Sequence, residues 1–132
     1  MLLDYYYSII KQQTTGQVTL FDVILLPECG VYEGHFPGMP VAPGVCNIQM
    51  ITECVERITG QQIRLEYIAQ CKFISMITPQ QHPELQVRIE LEKEEKEKPP
   101  PTPPKGERIK VVATIGQGDK EFMVFKGEYI IL

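Results

Sequence analysis

The residues with the most chemistry in them lie in Glu33–Gln49, EGHFPGMPVAPGVCNIQ. Three prolines, three glycines and one of the two histidines of the chain fall within its first twelve positions. Pro37, Pro40 and Pro43 stiffen the backbone around His35, so the imidazole is held before any ligand arrives. Gly44 follows at the point where a helix should begin, and Pro43 beside it has no N–H to lose there. The Gly44 N–H then has no intrahelical acceptor and carries the positive end of the helix dipole behind it. Such a group is a natural donor to a carbonyl oxygen that gains negative charge during a reaction. An imidazole next to it suits removal of a proton α to a thioester, the N–H stabilising the enolate. On residue types alone, a structural role for a histidine in a Pro/Gly loop outweighs a catalytic one. The local reading therefore stops at a base near a helix N-terminus.

The elements around this loop follow from periodicity. Gln17 to Leu26, QVTLFDVILL, is β-branched and aromatic and predicts a strand that Pro27 stops. GVCNIQMITECVERITG predicts a helix: Val45, Ile48, Ile51, Val55 and Ile58 make one apolar stripe, and Gly60 ends it. Ile63 to Thr78 predicts one long or two shorter strands. Glu84 to Glu92 alternates strictly, with Leu85, Val87, Ile89 and Leu91 facing one way. Arg108 to Ile115 and Glu121 to Leu132 predict two more strands, joined by a Gly-Gln-Gly-Asp turn. Residues 1–12 read as a short helix or a strand. Between the strands lies a charged and proline-rich stretch, residues 93–107, holding five of the eleven prolines. It reads as a hairpin insertion within a single domain spanning 1–132. One amphipathic helix must bury its stripe against the only large surface offered, an antiparallel sheet curved around it, which is an α+β domain.

Composition narrows the function classes. Seventeen acidic and 13 basic side chains give a net charge of −4, and no basic stripe of the kind nucleic acid requires is visible. No apolar run approaches the ~18 residues of a membrane span, and MLLDYYYSII lacks the basic start of a signal peptide. The four cysteines are scattered without a C-x-x-C pair and predict reduced thiols rather than a metal site. The expected compartment is the cytoplasm, and no cofactor or metal is expected.

The run HFPGMPVAPGV, His35 to Val45, resembles the signature of the β-hydroxyacyl-acyl carrier protein dehydratases, which have the hotdog fold: a sheet wrapped around one long central helix. His35, Phe36, Pro37, Gly38, Pro40, Pro43, Gly44 and Val45 all stand at that family's spacing. A weaker similarity runs through AQCKFISMITPQQHPELQVRIEL, so the resemblance covers roughly residues 17 to 92. The N-terminal MLLDYYYSII and the proline-rich insertion depart from it. The resemblance implies a hydro-lyase acting on 3-hydroxyacyl thioesters of acyl carrier protein or coenzyme A, in fatty-acid or related acyl-chain synthesis. His35 would be the base, with Phe36, Gly44 and Val45 at the substrate. It also implies a homodimer, a higher oligomer of dimers or a heterodimer, because each site takes its histidine from one chain and a helix carboxylate from the other.

That carboxylate belongs at position 49, where this chain has glutamine. An amide hydrogen-bonds a hydroxyl but delivers no proton at neutral pH. Glu53, one turn on and about 40° around the helix, is a substitute acid. Glu33, His35 itself and the carboxylate of a related partner chain are the others. Three functions stay open: dehydratase or hydratase, hotdog thioesterase, and a non-catalytic thioester-binding module or inactive half of a heterodimer.

Overall fold

The computed structural model describes residues 1–32, 41–92 and 106–132. His35, Phe36 and Glu33, and most of the proline-rich insertion, lie outside the described residues. Six strands form one antiparallel sheet: β1 (Tyr7–Thr15), β2 (Val18–Leu25), β3 (Ile63–Phe73), β4 (Glu84–Glu92), β5 (Arg108–Gln117) and β6 (Lys120–Ile131). Their order across the sheet is β1-β2-β4-β5-β6-β3. Among the described residues one α-helix, α1 (Gly44–Thr59), packs on it.

The period-2 alternation read from the sequence is what builds the inner face. Phe21 lies opposite Val87, Val87 opposite Ile115, and Ile115 opposite Met123, so one apolar row crosses four strands. All four are buried. Polar residues alternate with them and face out, as in β4, where Gln86 and Glu84 are exposed. β1 is a strand, and it forms a hairpin with β2 around Gly16 and Gln17. The expected strand between Ile63 and Thr78 is one strand ending at Phe73.

The helix is shorter than the expected long central one, at 16 residues, or about 24 Å. Its end is the expected one: Gly60 takes the left-handed conformation (φ 68°) and its N–H returns to the Glu56 carbonyl. The expected stripe needs correction. Ile51 and Val55 are buried, but Val45 is 77% exposed and Ile48 and Ile58 are only partly covered. The buried face is instead Met50, Ile51, Cys54 and Val55, bordered by the polar Asn47, Thr52 and Glu53. Each fully buried aliphatic side chain there contributes roughly 1.5–3 kcal/mol. The polar border is paired: Thr52 Oγ1 and Tyr129 Oη are 2.8 Å apart across the helix–sheet interface. The stripe was misplaced because spacing alone gives Asn, Thr and Glu no partners, and tertiary contacts supply them.

Candidate active site

α1 starts without a side-chain cap. Pro43 occupies the cap position, and the Cys46 and Asn47 N–H groups both return to its carbonyl at 3.1 Å. The ladder therefore begins at Pro43 and leaves the Gly44 and Val45 N–H groups without intrahelical acceptors. No acidic residue in the first turn neutralises that end.

A cavity of about 410 Å³ opens on it, lined by Gly44 and Asn47 of α1, by Val41 and Ala42 before it, and by Phe73 and Phe122 of the sheet. Among the described residues its remaining wall is the segment from Ile74 to Ile77. Two sets of backbone hydrogen bonds hold that wall: Ala42 N–H donates to Ile77 O at 2.7 Å, and the Ile74 and Ser75 N–H groups donate to Phe122 O. A Cβ at Gly44 would stand 2.6 Å from Cζ of Phe73, so only glycine lets this ring lie against the helix start.

Gln49 is not in this cavity. At about 100° per residue it sits about 200° around the helix from Asn47, on the opposite flank, and it is exposed. There its amide Nε2 donates to Glu53 Oε2 at 3.0 Å. A carboxylate only accepts, so the partner itself dictates which end of the Gln49 amide faces it. The same Glu53 carboxylate accepts from the Leu2 and Leu3 N–H groups at 2.8 and 3.0 Å and from the Tyr7 hydroxyl at 3.1 Å. Burial, reinforced by Cys54 and the Glu53 charge, holds the Tyr7 phenol far above its ordinary range, so it remains a donor. Gln49 and Glu53 are thus brought together, as one turn of helix requires. Glu53 is 8% exposed and pins the N-terminal segment to the helix. Val45 lies outside the cavity lining and points to solvent.

Two other groups have structural surroundings. His82 Nδ1 lies 3.3 Å from the Thr78 N–H and 3.3 Å from its hydroxyl, and its ring packs on Phe122. The four cysteines are free thiols, and burial pushes the Cys54 thiol up to about 12. Among the described residues no group of three His, Cys, Asp or Glu side chains could hold a metal ion, and no helix is long and apolar enough to cross a membrane. The polar residue that sequence reading missed is Asn47. Its signal was its place three residues after Gly44, on the same flank of the helix.

Among the described residues, a single antiparallel sheet with one α-helix packed on it is consistent with the hotdog fold. The family model for the ApeI-like proteins, described as ApeI dehydratase, matches residues 11–98. The chain belongs to the ApeI-like dehydratase family. Among solved structures it is similar to the dehydratase heterocomplex ApeI:P from Xenorhabdus doucetiae, with a TM-score of 0.63 at 17% identity over 92% of this chain and 96% of that one. It is also similar to the conserved protein PA5202 from Pseudomonas aeruginosa, with a TM-score of 0.60 at 12% identity over 97% and 90% of the two chains. A protein from Erwinia carotovora subsp. atroseptica has a TM-score of 0.51 at 19% identity over 94% and 91%. No curated protein matches the chain.

Proposed function

We propose that the chain is a hydro-lyase of the dehydratase type that acts on 3-hydroxyacyl thioesters carried by acyl carrier protein or coenzyme A. The observation that carries this reading is the uncapped start of α1 facing an apolar cavity of about 410 Å³, directly after the histidine motif. The Gly44 N–H holds the thioester carbonyl, Phe36 and the apolar wall take the acyl chain, and His35 removes the C2 proton. The C3–O bond then breaks and the hydroxyl leaves as water, taking up a proton.

The opposite placement of Asn47 and Gln49 favours a site shared between two chains, with Gln49 and Val45 serving the partner's cavity. In a homodimer Gln49 holds the departing hydroxyl through its amide, Glu53 orients Gln49, and the His35 imidazolium returns the proton. A second reading has a specific support of its own. Gln49 cannot act as an acid, and a structural relative is described as a dehydratase heterocomplex. In a heterodimer His35 would work with a carboxylate from a related chain, and the site containing Gln49 would be silent. The reading places the protein in acyl-chain synthesis in the cytoplasm.

The test is hydration of an enoyl thioester by the native protein, by His35→Ala and by Gln49→Glu/Glu53→Gln. The paired exchange is used because Gln49→Glu alone would set two carboxylates about 3 Å apart on one helix turn, where they repel. Turnover by the native protein that disappears in His35→Ala is the expected result. Activity only in the paired exchange would select the silent half of a heterodimer. Absence of both turnover and thioester binding in every form would sink the dehydratase reading.

A further inference from the structure

Besides the backbone donors, the α1 side of the cavity presents one buried polar side chain, Asn47, and nothing in the dehydratase motif accounts for it. We propose that Asn47 is a substrate-binding residue whose amide N–H, together with the Gly44 N–H, forms a two-donor cradle for the thioester carbonyl. This deepens the dehydratase reading and rests on it.

The first ground is position. Asn47 and Gly44 are three residues apart on α1, so they share a flank, and both line the same cavity. The second is cost. Asn47 is 3% exposed in a mostly apolar wall that includes Phe73, Ile77 and Phe122, with Ser75 the other polar side chain among the described lining residues, and an amide so placed is costly unless its atoms find partners. Asparagine is also a poorer helix former than the aliphatic residues that would fill the position for stability.

The third ground is orientation. The Tyr6 hydroxyl donates to Asn47 Oδ1 at 2.7 Å in a buried contact. Burial, reinforced by the neighbouring Tyr32 hydroxyl, keeps the Tyr6 phenol protonated far beyond its ordinary range, so this donor is permanent. Tyr6 reaches across 41 residues of chain to make the bond. The Tyr32 ring packs 6.0 Å from that of Tyr6, and the Tyr6–Asn47 contact is the shorter-range bond the geometry supports. With Oδ1 taken by Tyr6, Nδ2 is the amide donor left to serve the cavity that Asn47 lines, and the described residues show no acceptor for it. A donor pair with no Lys or Arg among the described lining residues suits a neutral carbonyl oxygen that becomes an enolate oxygen as the C2 proton leaves.

The experiment reads the carbonyl itself. A carbonyl-labelled crotonyl pantetheine thioester is bound to the native protein, to Asn47→Leu and to Tyr6→Phe, and its C=O stretch is followed by infrared difference spectroscopy beside kcat and KM. The native protein should shift the band to lower frequency than in water. Asn47→Leu should return most of that shift and lower kcat roughly 10²-fold with KM changed far less. Tyr6→Phe, which frees the amide to turn, should broaden the band and lower kcat by about tenfold. An unchanged band and kcat in a folded Asn47→Leu would overturn the assignment. If circular dichroism shows that variant unfolded, an unchanged band and kcat in Tyr6→Phe would overturn it instead. A native protein that binds no thioester would overturn the dehydratase reading and this assignment with it, whereas binding with an indifferent position 47 would remove the assignment alone.

Discussion

Glu53 accepts hydrogen bonds from the Leu2 and Leu3 N–H groups, the Tyr7 hydroxyl and the Gln49 amide, and it is nearly buried while doing so. Among the described residues each donor has no other acceptor if the carboxylate is removed. A buried donor left unpaired costs about 1–3 kcal/mol, and the loss is partly relieved near the surface. Glu53→Ala should therefore lower unfolding free energy by about 2–4 kcal/mol, and Tyr7→Phe by about 1 kcal/mol, both read as shifts of the urea midpoint. The two effects should be far from additive, because they share one carboxylate. Equal midpoints for native protein and Glu53→Ala would show that the N-terminal segment is not held through this residue. The type and spacing of Gln49 and Glu53 were legible as a pair one helix turn apart. The other three donors were not, since Leu2, Leu3 and Tyr7 lie about fifty residues away in the chain.

At the scale of elements, the start of α1 is shaped by what it lacks: a capping side chain, an acidic first turn, and a Cβ at Gly44. Alanine at position 44 would favour the helix by up to about 1 kcal/mol but would press on the Phe73 ring. That ring is 59% exposed, so it can swing aside at small cost to the fold. Gly44→Ala should thus keep stability within about 1 kcal/mol of the native protein while weakening enoyl-thioester binding. Adding Phe73→Ala should restore part of that binding if ring displacement is the cause. Calorimetric titration of the two single variants and the double one separates the outcomes. Purely additive losses would mean that the methyl group itself, not the displaced ring, blocks the cavity.

At the scale of the molecule, the strand order leaves β3 at one edge of the sheet, paired only with β6. It is eleven residues long and exposes Tyr67, Ile68 and Phe73. A long edge strand with exposed apolar side chains invites another strand, and the shorter opposite edge, β1, shows Ile10 among Lys11, Gln12 and Gln13. Under the shared-site proposal, two β3 edges are expected to pair. Ile68→Asp should then shift the protein from dimer to folded monomer in analytical ultracentrifugation and abolish enoyl hydration, because Gln49 and the cavity would part company. A dimer that survives the substitution would place the interface elsewhere.

The sequence by itself determined what depends on neighbours a few residues apart. The β-branched and aromatic content of QVTLFDVILL and the alternation in ELQVRIELE set two strands, the run to Gly60 set the helix and its end, and the Pro/Gly spacing around His35 marked the family. The tertiary structure decided what depends on residues far apart in the chain. It made residues 7–15 an edge strand, put β3 at the other edge, and shifted the buried face of α1 from the Val45–Ile58 stripe toward Met50 and Cys54. It also gave Asn47 its tyrosine and Glu53 its amide donors. Polar residues on a helix read as surface until a distant partner is folded against them, because burial of such groups is tolerated only where hydrogen bonds replace water.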